Sequence, residues 1–217
     1  MRRYWALLTI WLLIIPLSQF AQVAVNWVEF SVIKKQYGSV AYKRAQALQR
    51  LLNRLEHANT NAKLEEVNRF FNRFKYESDE SLWKQKDYWQ TPTEFIGIHA
   101  GDCEDYVISK YFALRALGIP DEKLFLTYAK AIRKSGNIAH MVLNYFETPD
   151  SVPLVLGNYN HEIVSALKRK DLIPVYSFNA KSLFLSNSAG LGQALPTSKI
   201  KNGKWERLLQ AIKRAKT

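Results

Sequence analysis

At 217 residues, with 47% hydrophobic and 23% charged side chains, the chain suits one compact domain with an annex and is too apolar to be disordered throughout. A net charge of +12 would suit nucleic acid, an anionic membrane or an acidic partner. No Gly-rich phosphate loop, zinc-finger spacing or aromatic RNA-binding motif accompanies it. The basic stretches 34–75 and 199–216 therefore read as solvated helix faces, and a nucleic-acid role is set aside.

Arg2 and Arg3 precede an apolar stretch from Tyr4 to Leu17, too short for a full membrane span and suited to the core of a signal peptide. Residues 1–24 are expected to be an export signal, or an uncleaved anchor through which the chain associates transiently with the membrane. No clean small-x-small site marks a cleavage point, although Ala21 and Ala24 are available.

Ser39 is placed to cap a helix that repeats Ala41, Ala45, Leu48, Leu52 and Leu55 on one face. A turn over 57–61 leads to a second helix presenting Leu64, Val67, Phe71 and Phe74, which pairs with the first as a hairpin. After a polar, aromatic stretch, Thr91-Pro92-Thr93-Glu94 carries the signature of a capping box with proline at the first helical position, and Gly97 is expected to end that short helix. A third helix starts near Cys103 and buries Val107, Tyr111, Leu114 and Leu117. Gly118 and Pro120 stop it. The period then changes. Strands are predicted at Leu124–Ile132, Ala139–Phe146 with His140 at its start, Pro153–Leu156 and Leu172–Phe178. Helices followed by antiparallel strands give an α+β order. Residues 34–185 form the expected domain, and 186–217 a loose basic tail ending in an amphipathic helix around Trp205, Leu208, Leu209 and Ile212.

Cys103 is the chain's only cysteine, so a disulfide framework is excluded. It falls in the first turn of its helix, directly after Gly101-Asp102. Free N–H groups and the positive end of the helix dipole favour a thiolate there, and the same N–H groups could hold an oxyanion. A helix-start Cys with a strand-borne His140 is the arrangement of papain-like and transglutaminase-like thiol enzymes. An inert buried thiol and a structural histidine fit the spacing as well. Trp89 or Gln90 is placed to line a cleft or assist the oxyanion hole. Asp102, Glu104 and Asp105 are either acids favoured by the helix dipole or metal ligands. His57, His99 and His161 read as surface residues, and no Cys/His cluster supports zinc.

Gly101-Asp102-Cys103-Glu104-Asp105-Tyr106 with Lys110-Tyr111-Phe112-Ala113-Leu114-Arg115 resembles the catalytic helix of the bacterial transglutaminase-like cysteine proteinases, the LapG family. Trp89-Gln90-Thr91-Pro92-Thr93-Glu94-Phe95, Ala139-His140-Met141-Val142-Leu143, Thr148-Pro149-Asp150, Pro153-Leu154-Val155-Leu156 and Pro174-Val175-Tyr176-Ser177-Phe178-Asn179 resemble further segments of it, in the same order. The resemblance implies a papain/transglutaminase-like fold, with N-terminal helices on an antiparallel sheet. It implies a periplasmic, calcium-dependent endopeptidase that cuts a large cell-surface adhesin near its N-terminus to release biofilm. It also implies an inner-membrane cyclic-diguanylate receptor as partner. Cys103 and His140 match the nucleophile and base, and Asp102 and Glu104 match calcium-binding acids. One position departs. The family's third catalytic residue is an Asp after the strand 154–156, where this chain has Gly157 followed by Asn158. Asn158 is the expected substitute. A weakened or inactive relative that binds and regulates, or an amidase or transglutaminase, are the alternative readings.

Overall fold

The computed structural model describes residues 26–187, 189–196 and 203–214. The expected export segment, residues 1–24, lies outside them. The chain enters through a short helix α1 (Phe30–Val32), a π-helical turn over Ile33–Tyr37 and the long helix α2 (Gly38–Leu55). Ser39 caps nothing: the break before the helix falls at Gly38, with φ 81° and ψ −174°, and no side chain caps the start of α2. The apolar stripe is as expected: Ala41, Ala45, Leu48, Leu52 and Leu55 are buried, together with Leu51. Asn59 caps α3 (Thr60–Phe71) by accepting from the Ala62 N–H at 2.9 Å, which satisfies a helix-start donor. That helix stops at Phe71, one turn short of the Phe74 included in its face, yet Phe74 is buried beside Phe71 and Phe95.

A two-residue strand β1 (Lys75–Tyr76) leads into α4 (Asp79–Trp83), capped by Ser78. Helix α5 (Pro92–Ile98) begins with the predicted capping box: Glu94 Oε2 accepts from the Thr91 N–H at 2.7 Å, and Thr91 Oγ1 from the Glu94 N–H at 3.3 Å. It ends at His99 in the left-handed region, past Gly97. Strand β2 (Ala100–Gly101) pairs in parallel with β1 and delivers the chain to α6 (Cys103–Ala116). Almost every residue of α6 is buried. It is wedged between the helical annex and the sheet, so its sequence lacks a wide polar face.

The sheet has seven antiparallel strands: β3 (Leu124–Ala131), β4 (Ile138–Tyr145), β5 (Leu154–Leu156), β6 (Val164–Ser165), β7 (Leu172–Phe178), β8 (Leu183–Asn187) and β9 (Gly190–Leu195), ordered β6-β5-β4-β3-β7-β8-β9. The α+β order is therefore correct. The loose tail is not. The expected boundary at 185/186 cuts through β8, and β8 and β9 form a hairpin that extends the sheet at the β7 edge. The amphipathic helix α7 (Gly203–Arg214) inserts Trp205, Leu208 and Ile212 into the core, with the Trp205 indole stacked on Phe112 and edge-on to Tyr111. Among the described residues, no helix is long and apolar enough to cross a membrane.

Candidate active site

Cys103 is the first residue of α6, and Asp102 is its N-cap in extended backbone. The helix start is built around Asp105, which is fully buried. Its carboxylate accepts from the Gln90 N–H at 2.9 Å, from Gln90 Nε2 at 2.6 Å and from the Asp102 N–H at 3.0 Å. Gly101 makes this possible. A Cβ there would collide with Asp105 Oδ2 and Gln90 Nε2. A glycine two residues before the thiol thus lets the backbone pass close to its own anchor. Gln90, also donating to the Ala100 carbonyl, is committed to this anchor and does not reach toward an oxyanion. Trp89 packs near Tyr128 and Phe178.

The thiol is partly exposed and donates to Glu104 Oε2 at 3.1 Å. Burial, then the charges of Glu104 and Asp102, push its pKa well above that of a free cysteine. Against them, the nearby backbone N–H of Met141, the residue after His140, acts to lower it. Helix α6 packs directly on β4, so the thiol lies at the strand that carries the imidazole.

The acids extend beyond the two expected from sequence. Asp79 at the start of α4 and Asp87 in the following loop join Asp102, Glu104 and Asp105. Ligand atoms of Asp79, Asp102 and Asp105 lie within 4.8 Å of one another, as do those of Asp79, Asp87 and Glu104. Asp79 Oδ1 and Asp102 Oδ1 are buried without partners. Burial raises the Asp79 pKa to about 6, with help from Glu104 and Asp87. Burial, then Glu104 and Asp105, raises that of Asp102 to about 10. Crowded carboxylates with unused oxygens fit a hard divalent cation with oxygen ligands. Asp79 and Asp87 carried no sequence signal, because folding alone brings the α4 segment to the start of α6.

The imidazole end is different. His140 is buried and its ring lies parallel to Tyr159 at 4.2 Å. Neither ring nitrogen has a hydrogen-bond partner. Burial, then Arg169 and Arg133, lowers its pKa to about 4. The expected substitution by Asn158 is not realised as a hydrogen bond: Asn158 Oδ1 is buried and also without a partner. Among the other histidines, His57 and His161 are exposed as expected, whereas His99 is half-buried against Phe74.

A thiol at the start of a helix that packs on the histidine-bearing strand, within helices packed on an antiparallel sheet, is the arrangement of thiol hydrolases of the papain/transglutaminase-like class. The family model described as bacterial transglutaminase-like cysteine proteinase matches residues 18–172. The structure of Legionella pneumophila LapG is 39% identical, covering 85% of this chain and 98% of that one, with a TM-score of 0.71. EGTA-treated LapG of the same organism matches with 39% identity, the same coverages and a TM-score of 0.72. Calcium-bound LapG matches with 39% identity over 85% of this chain and 99% of that one, at a TM-score of 0.71. Comparison with curated protein sequences returns no match. The chain belongs to the bacterial transglutaminase-like cysteine proteinases, and it is a cysteine peptidase by family.

Proposed function

We propose that the protein is a calcium-dependent periplasmic cysteine endopeptidase that cuts a large cell-surface adhesin near its N-terminus, releasing cells from biofilm. The observation that carries this reading is the thiol of Cys103 held by Glu104 inside a ring of carboxylates, at the strand bearing His140. In this reading Cys103 attacks the scissile carbonyl, and His140 takes the thiol proton and returns it to the leaving amine. Helix-start N–H groups of α6 face the developing oxyanion. Water then hydrolyses the acyl-enzyme. Asp79, Asp102 and Glu104, with Asp87, would hold Ca²⁺, which supplies the positive charge that offsets the acids around the thiol. The likeness to calcium-bound LapG supports this assignment.

Control by an inner-membrane cyclic-diguanylate receptor, and export through residues 1–24, belong to the same proposal. They are supported by family membership and by Arg2-Arg3 with the apolar run behind them. A second reading, a weakened or inactive relative that binds and regulates, is favoured by the partnerless ring nitrogens of His140. An amide-forming transferase would differ by giving amine adducts.

The test is incubation of the purified protein with the N-terminal region of an adhesin encoded in the same genome. Cleavage that requires calcium and disappears in Cys103→Ala is the expected result. Binding with no product under any calcium concentration would replace this proposal with the regulatory reading.

A further inference from the structure

Three features of the imidazole end meet at Gly157. The first is a backbone held in place. The Gly157 carbonyl accepts from the fully buried Lys110 Nζ at 3.0 Å and from Asn72 Nδ2 at 3.0 Å, and Lys110 Nζ also donates to Asn72 Oδ1 at 2.7 Å. The second is room for at least a Cβ that the chain does not supply. Gly157 is not among the glycines with positive φ. A Cβ there would make ordinary contacts, 3.6 Å from Val142 Cγ1, 3.8 Å from Arg169 Nη1 and 3.9 Å from the Asn160 carbonyl oxygen. Neither conformation nor crowding demands glycine.

The third is a set of buried donors without acceptors. The Arg169 side chain is 3% exposed. Its Nε and Nη2 donate to Asp171 Oδ1 at 2.8 Å and Asp171 Oδ2 at 2.7 Å, while Nη1 is buried without a partner. The His140 ring is also buried without a partner on either nitrogen. In the register of β4 with β5, Leu156 opposes Leu143, so the next step sets residue 157 against Val142, on the same face of the sheet as His140. The surrounding charges favour an anion. Arg169 and Arg133, the latter stacked over Tyr159 at 4.1 Å, outnumber Asp171.

We propose that a small carboxylate from solution binds at Gly157, accepting from Arg169 Nη1 and from the N–H of His140, and serves as a detachable orienting group for the imidazole. This rests on the reading of Cys103 and His140 as the reacting pair. No bond to the carboxylate is made or broken. It fixes the tautomer of His140 and stabilises the imidazolium formed when the Cys103 proton moves to the ring. Proteolytic activity would then follow the supply of small carboxylates around the cell.

The probe is formate, titrated into the full chain with calcium present and ionic strength held constant by chloride. Thermal unfolding should show a rise in Tm that grows with the logarithm of formate concentration above its dissociation constant and reaches roughly 3 °C. Gly157→Ala, whose methyl fills the space in ordinary contact, should abolish the rise. Gly157→Asp should be insensitive to formate and should alkylate at Cys103 faster than the parent does without formate. In the parent, formate should accelerate alkylation with a half-saturation equal to the dissociation constant fitted from the Tm rise. No Tm response in the parent overturns the proposal, as does an equal response in Gly157→Ala or an equal response to chloride. Tm and alkylation are read without a peptide substrate. A formate response with no cleavage of any adhesin fragment would therefore overturn the endopeptidase reading and leave the anion site standing.

Discussion

The two ends of the candidate site are built with opposite errors. Around Cys103, five carboxylates crowd one helix start, and two of their oxygens are buried with nothing to bond. Around His140 there are arginines and a lysine, one exposed acid that is already paired with Arg169, and no acceptor for the ring. Burial and then the acids raise the pKa of the thiol, while burial and then the arginines lower that of the imidazole. Both errors favour the uncharged pair over the thiolate–imidazolium form. A cation at one end and an anion at the other would correct them.

Two kinds of carboxylate must be distinguished at the thiol end, and the largest expected effect does so. Asp105 is structural, since three donors converge on it, whereas Asp79 and Asp102 are open. Asp105→Ala should cost roughly 3–5 kcal/mol by stranding those donors, lowering Tm by on the order of 10 °C with or without calcium. A calcium-dependent loss would instead make Asp105 chiefly a ligand.

The imidazole end should reveal itself through pH. The folded pKa of His140, about 4, lies below its unfolded value near 6.5. The unfolded chain therefore binds this proton first as pH falls. The neutral ring's stabilisation is full above about 6.5 and is lost down to about 4, a change on the order of 3 kcal/mol. Asp79, whose raised pKa of about 6 makes its protonation stabilising over the same window, opposes this loss, so His140→Gln should remove the fall and leave Tm level or rising toward low pH. If the slope persists in that variant, another group carries it.

A substitution away from both ends sharpens the contrast. Thr91→Ala removes the cap of α5 and should cost about 1 kcal/mol, seen as a Tm lower by roughly 3 °C. Calcium response and thiol reactivity should not change. A change in either would mean that α5 positions the acids more directly than its contacts indicate.

The difference between the ends also explains what could be read from sequence. The start of α6 was legible because local rules govern it: a glycine, an N-terminal acid and a thiol in consecutive first-turn positions. The capping box of α5 and strand β7 were legible for the same reason, being set by neighbours three residues apart or by alternation. Asp79 and Asp87 were not, because only the packing of α4 against α6 makes them part of a cluster. The start of α2 does not use Ser39 as a cap because the break falls one residue earlier, at Gly38, which has no side chain to cap with. The β8–β9 hairpin was missed because Gly190-Leu191-Gly192-Gln193-Ala194-Leu195 has weak strand propensity and a half-buried pattern without clear alternation. Pairing with β7 supplies what propensity lacks. Gly157 was noticed from the family resemblance, but the partnerless guanidinium beside it required coordinates.

The central claim is that Cys103 is a nucleophile restrained by its acids, and the chain's single cysteine makes this directly measurable. Iodoacetamide alkylation, followed by intact mass at pH 7.5, should be slow in EGTA and at least about tenfold faster with saturating calcium, since relieving one pKa unit of thiol suppression is a tenfold change in thiolate. In Asp79→Asn the EGTA rate should rise and the calcium response should shrink. Equal alkylation rates with calcium and with EGTA in the parent chain would contradict the account.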